Sequence, residues 1–184
     1  MENSIFLIGL TGVGKTTTGQ RLSRLLDWKF IDLDAELEDE LGMTCPDIIR
    51  KFGWAEFRDR EAQALERLMK THQRKHVVSC GGGVVETQRA RALLAQWHAQ
   101  GIVLLVRHPD VGELVSELKT TDKRRMVSKE NLEEIFQRRT PWLEECSNCC
   151  YINTRRDSDH DGIPIELQDF LQQLHSICGA TEAT

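Results

Sequence analysis

The run Gly9-Leu10-Thr11-Gly12-Val13-Gly14-Lys15-Thr16 follows the pattern G-x-x-x-x-G-K-[ST], between an apolar run (Ser4 to Ile8) and a helical pattern (Lys15 to Leu26). A strand before it and a helix after it are the setting of a phosphate-binding loop, or P-loop. Its glycines let main-chain N–H groups close around phosphate oxygens, and the helix N-terminus adds partial positive charge. Lys15 suits the β- and γ-phosphates of ATP, and Thr16 offers a hydroxyl to Mg²⁺. The expected nucleotide-binding set is Gly9, Thr11, Gly12, Val13, Gly14, Lys15, Thr16 and Thr17.

Asp32 and Asp34 lie two apart at the end of the strand-like run Phe30 to Asp34, so both side chains are expected on one face. One carboxylate can order a magnesium shell while the other takes a proton from an attacking hydroxyl; capping of a following helix is the plainer alternative. Arg58 and Glu61 share a helix face, next to Trp54 and Phe57, whose bulk marks the turn as partly buried. An arginine held by a glutamate is suited to grip a carboxylate with two hydrogen bonds. Gly81-Gly82-Gly83 directly follows a strand-like run and fits a place where the main chain comes close to a ligand. The basic stretch Thr120 to Val127 can close over a nucleotide and bring an arginine to charge developing on the γ-phosphate. Arg138 and Arg139 are a second candidate anion clamp.

These residues need a scaffold. Strands are expected at 4–8, 30–34, 76–80, 102–106 and 149–153, with the 102–106 run, the most hydrophobic, at the centre. Helices are expected at 15–26, 35–42, 46–70, 87–100, 109–118, 130–145 and 164–177, with Thr87 an N-cap and Pro141 bending or shortening its helix. This alternation predicts an α/β fold, a central five-stranded parallel sheet with helices on both faces. With the P-loop and the basic stretch from Thr120 to Val127 beside it, it fits a P-loop kinase fold with a mobile lid. The 184 residues fit one domain over 1–178, with 179–184 a frayed end or linker. A net charge of -5 argues against nucleic acid as a partner and leaves room for local basic sites. No apolar run is long enough to span a bilayer.

The first residues lack the basic and long apolar regions of a secretory signal, which points to a cytoplasmic chain with reduced thiols among its six cysteines. The Cys146-Ser147-Asn148-Cys149 spacing lacks a second ligand pair for zinc, and is read as thiols flanking a buried strand.

Taken together in this order, the P-loop, Asp-x-Asp, Phe-Arg-x-x-Glu, the triple glycine, a basic lid and Arg-x-Pro-aromatic resemble shikimate kinase from about Ser4 to Thr154. The stretches Gly53 to Arg58 and Trp142 to Asn148 look closest to the kinase domain of the fungal pentafunctional AROM polypeptide, which implies a place in a larger multidomain chain. The resemblance implies transfer of the ATP γ-phosphate to the 3-hydroxyl of shikimate. By position, Asp34 would take the hydroxyl proton and bind substrate, Arg58 and Arg139 would grip the carboxylate, and Glu61 would orient Arg58. Gly81, Gly82 and Gly83 would line the same pocket. Lys15 and lid Arg124 would stabilise the transferring group, and Thr16 and Asp32 would hold Mg²⁺, directly or through water. Arg155 or Arg156 would flank the adenine, with Lys119 in place of the family's arginine before the lid.

The sequence departs from the family where Arg125 and Met126 follow Arg124, the family having a proline there. That departure supports one alternative, a non-catalytic sensing domain of a quinate-pathway repressor, while intact Lys15, Asp32, Asp34, Arg58 and Arg139 argue against it. A related P-loop sugar-acid kinase is the other alternative.

Overall fold

The computed structural model describes residues 3–120, 131–154 and 167–172. Five short apolar segments become strands: β1 (Ile5–Ile8), β2 (Lys29–Asp32), β3 (His76–Ser79), β4 (Ile102–Arg107) and β5 (Cys149–Ile152). They form one parallel sheet in the order β2-β3-β1-β4-β5. Phe6 pairs with Val78 on one side and Val103 on the other, so β1 is the middle strand and β4 lies beside it. This corrects the expectation that β4 is central. Apolar content reports burial on both faces, which β1 and most of β4 share, and does not rank strand order.

The helices between strands are α1 (Lys15–Leu26), α2 (Leu33–Leu41), α3 (Cys45–Thr71), α4 (Gln88–Trp97), α5 (Val111–Thr120) and α6 (Leu132–Cys146); residues 167–172 are also helical. Side chains start several of them: the Thr44 oxygen accepts from Asp47 N, Thr87 from Ala90 N, and Asn131 from Glu133 N. The core is continuous, with Phe6 edge-on to Trp97 at 4.9 Å and Leu22, Leu65, Leu94 and Leu104 fully buried.

Three local departures from expectation have physical causes. Strand β2 stops at Asp32, whose carboxylate caps α2 by accepting from Asp34 N at 3.1 Å. Asp34 is therefore in the first turn of a helix, not on the strand. Helix α3 is two helical stretches joined at Gly53, which has φ 85 and ψ 168, a conformation that favours a residue without Cβ. Helix α6 is not shortened by Pro141: it runs on to Cys146, and the Thr140 hydroxyl donates back to Phe136 O at 2.7 Å.

Cys45, Cys80 and Cys146 are buried free thiols, and Cys149 and Cys150 open β5. Among the described residues no helix is long and apolar enough to cross a membrane.

Candidate active site

A cavity of about 790 Å³ opens at the carboxyl ends of β1, β2 and β3, where parallel sheets present their ligand sites. The P-loop forms one wall. Thr11, Gly12, Gly14, Lys15, Thr16 and Thr17 line it. Gly14, the N-cap of α1, has φ 93, and a Cβ there would also crowd the Asn153 amide. Asn153, at the end of β5, donates to Val13 O at 2.9 Å and fixes the loop from across the sheet. Gly9 and Val13 contribute structure: the Val13 side chain is buried in the core and the Gly9 carbonyl faces Lys15.

The Lys15 ammonium donates to Gly9 O and Leu10 O, each at 2.9 Å. Burial lowers its pKa to about 8, against the pull of Asp34. The Thr16 hydroxyl donates to Asp32 Oδ2 at 3.0 Å. A hydroxyl and a carboxylate beside a phosphate cradle are hard oxygen donors that fit Mg²⁺ shared with a nucleotide. Asp32 is the helix cap of the plainer reading, and its other oxygen meets the Thr16 hydroxyl.

Another part of the lining, the arginine end, carries Arg58 and Arg139. Arg58, on α3, donates through Nη1 to Glu61 Oε2 at 2.7 Å, and its guanidinium lies 5.1 Å from the ring centres of both Trp54 and Phe57. Of these rings Phe57 is buried and Trp54 exposed. Arg139, on α6, donates through Nε to Glu86 Oε1 at 2.7 Å and through Nη1 to Gly82 O at 3.1 Å. Both arginines line the cavity.

Asp34 is near enough to feel the charge of both Lys15 and Arg58. Its carboxyl pKa is raised to about 6, first by burial, then by the Glu61 and Asp32 carboxylates, with Lys15 and Arg58 opposing. Burial also pushes Glu61 upward, against the hold of Arg58. Glu61 Oε1 is buried without a hydrogen-bond partner.

Gly81, Gly82 and Gly83 all line the cavity, and they also pack closely against the protein's own site residues. None of the three has a positive φ. A Cβ on Gly81 would overlap Glu61 Oε1 and stand 2.8 Å from Asp34 Oδ1; on Gly82 it would stand 2.9 Å from Thr11 N; on Gly83 it would press into the Arg58 guanidinium, 2.5 Å from Cζ. The missing side chains make room for the site's own residues, not only for a ligand.

Glu86 was not among the sequence candidates. It lies in a 3₁₀ turn, Val84–Glu86, and holds both Arg139 and Arg138, the latter through Nη2 at 3.0 Å. Its burial is outweighed by those hydrogen bonds, which keep its pKa below the usual value. The one sequence signal was an acid placed just after the triple glycine. Arg124 and Arg155 lie outside the described residues. So does most of the basic stretch expected to form the lid.

Such an arrangement is that of a P-loop kinase. The shikimate kinase family model matches residues 11–174. The shikimate kinase of Acinetobacter baumannii, solved in complex with shikimate, is 28% identical, with a TM-score of 0.76 over 99% of this chain and 96% of that one. The Bacteroides thetaiotaomicron shikimate kinase is 22% identical, TM-score 0.74, over 97% and 99%. A Sinorhizobium meliloti gluconokinase, at 17% identity and TM-score 0.51 over 99% and 98%, shares the fold. The chain belongs to the shikimate kinase family, and is an ATP-dependent kinase.

Proposed function

We propose that the chain transfers the γ-phosphoryl group of ATP to the 3-hydroxyl of shikimate, with the arginine end holding the substrate carboxylate. The observation that carries this is that Arg58, Arg139, Asp34, Lys15 and Thr16 line one cavity, with Asp34 near enough to feel the charge of both Lys15 and Arg58. The carboxylate is met by two guanidiniums, each already oriented by a glutamate. The 3-hydroxyl oxygen attacks the γ-phosphorus, the bond to the ADP oxygen breaks, and the hydroxyl proton passes to Asp34. Lys15 leaves its two loop carbonyls to neutralise charge on the transferring group. Thr16 and Asp32 would hold Mg²⁺, which supplies further neutralisation when bound. No covalent step is asked of the protein: position and charge do the work.

The same reading relates the chain to the kinase domain of the fungal AROM polypeptide, on the stretches 53–58 and 142–148, and suits a cytoplasmic setting. ADP release measured by a coupled assay, with shikimate, quinate and gluconate as acceptors, tests the function. Turnover with shikimate alone supports it. Turnover with gluconate, or tight binding of shikimate without ADP release, overturns it in favour of a sugar-acid kinase or a sensor respectively.

A further inference from the structure

Arg139 is anchored by one short segment, and Glu86 is the charged part of that anchor. Its Nε donates to Glu86 Oε1 at 2.7 Å and its Nη1 to Gly82 O at 3.1 Å, four residues earlier in the same turn. Two contacts from different sides of a planar guanidinium fix both its position and its tilt. Nη2 lies outside both contacts. The pair is sheltered, the side chains being 10% and 18% exposed, so water competes weakly for either partner. Arg91 braces the turn against α6: its Nη1 donates to Val85 O at 2.6 Å and its guanidinium stacks 4.5 Å from the Trp142 ring, one helical turn beyond Arg138.

Arg58 has its own glutamate on its own helix, three residues away. Among the described residues Arg139 has none on α6, and its acid comes from 53 residues earlier in the chain. The two arginines therefore take their acids from different places, Arg58 from its own helix turn and Arg139 from the segment after the triple glycine, while the triple glycine itself packs against Arg58 as well.

We propose that Glu86 is a positioning residue for the substrate carboxylate: it holds Arg139 so that Nη2 is presented to a monocarboxylate acceptor, and Arg91 keeps the turn that carries it in register with α6. This rests on the carboxylate-clamp reading above. On this proposal Glu86 acts through Arg139, so its removal should weaken substrate binding equally in the ground and transition states. The signature is a raised KM for the acid with kcat retained.

The test is steady-state kinetics of Glu86→Ala, Glu86→Gln and Arg139→Ala in the full chain, with KM for shikimate and for ATP measured separately. Loss of a charge-assisted hydrogen bond in a sheltered site predicts that Glu86→Ala raises the shikimate KM on the order of tenfold. Glu86→Gln keeps an acceptor oxygen and is expected between Glu86→Ala and the wild type, with ATP KM and kcat within about threefold of wild type in both. If Arg139→Ala raises the shikimate KM and neither Glu86 variant does, the proposal falls and the clamp stands. If Glu86→Ala raises the KM for ATP by the same factor, Glu86 is merely structural and the proposal falls. If Arg139→Ala also leaves the shikimate KM unchanged, the clamp and this proposal fall together. Glu86→Gln, nearly isosteric, keeps the test decisive should Glu86→Ala fail to fold.

Discussion

At the scale of single residues, Asp34 carries two separable consequences. As the proton acceptor it must be ionised, and its pKa is about 6. Lys15 must be charged, and its pKa is about 8. The kcat/KM profile is therefore expected to be bell-shaped, falling tenfold per unit below about pH 6 as Asp34 protonates and above about pH 8 as Lys15 loses its charge. A profile flat down to pH 4.5 would remove Asp34 from the role. Asp34→Asn should abolish turnover while calorimetry still shows ATP binding, because Asp34 is not part of the phosphate cradle. The same substitution should change stability. A carboxyl whose folded pKa is raised from 3.8 to about 6 binds its proton more tightly in the folded state, so the wild type loses stability as pH rises through that window. Asp34→Asn lacks that loss, and urea titrations at pH 7 should find it more stable by about 1–3 kcal/mol, with little difference at pH 3.5.

At the scale of elements, the triple glycine after β3 is the piece whose reading changed most. Three glycines in a row announced a close approach, but the sequence could not say of what. The answer depends on where α2, α3 and the P-loop converge: Glu61, Asp34, Thr11 and Arg58 occupy the space that side chains at 81–83 would fill. Gly83→Ala should displace the Arg58 guanidinium and raise the KM for the acid at least tenfold with that for ATP nearly unchanged. Gly82→Ala, pressing on Thr11, should disturb nucleotide binding as well. Equal effects of the two on both substrates would refute this division. The Asp-x-Asp motif was legible as a pair, because both carboxylates do reach the cavity. The boundary between β2 and α2 was not legible, because Asp32 uses its side chain to start the helix two residues earlier than periodicity implied. Glu86 was invisible for a different reason. Its partner is 53 residues away, and local spacing carries no information about a contact made by tertiary packing.

At the scale of the whole molecule, the sheet divides the labour. The P-loop follows β1, Asp32 ends β2, and the triple glycine follows β3. These three strands are adjacent on one side of the sheet, and β4 and β5 complete the other. The alternation of elements gave the fold class readily. Strand order was out of reach, because it is fixed by which helices cover which face. Core substitutions in β4 should act on stability alone: Leu104→Ala is expected to cost about 2–5 kcal/mol in denaturant unfolding and to leave both KM values unchanged at permissive temperature. The cavity spans both ends, so its ligands should stabilise the fold by mass action. ATP and shikimate, each at about 100 times its Kd, should raise Tm by several degrees in a thermal-shift assay, each adding about 2.7 kcal/mol.

The ammonium that rests on two carbonyls of its own loop is held by partners that an anion can replace. Nucleotide entry is then a swap of partners, two dipoles relinquished for an anion. Because that swap is electrostatic, tightness of capture should weaken both with added salt and with alkalinity.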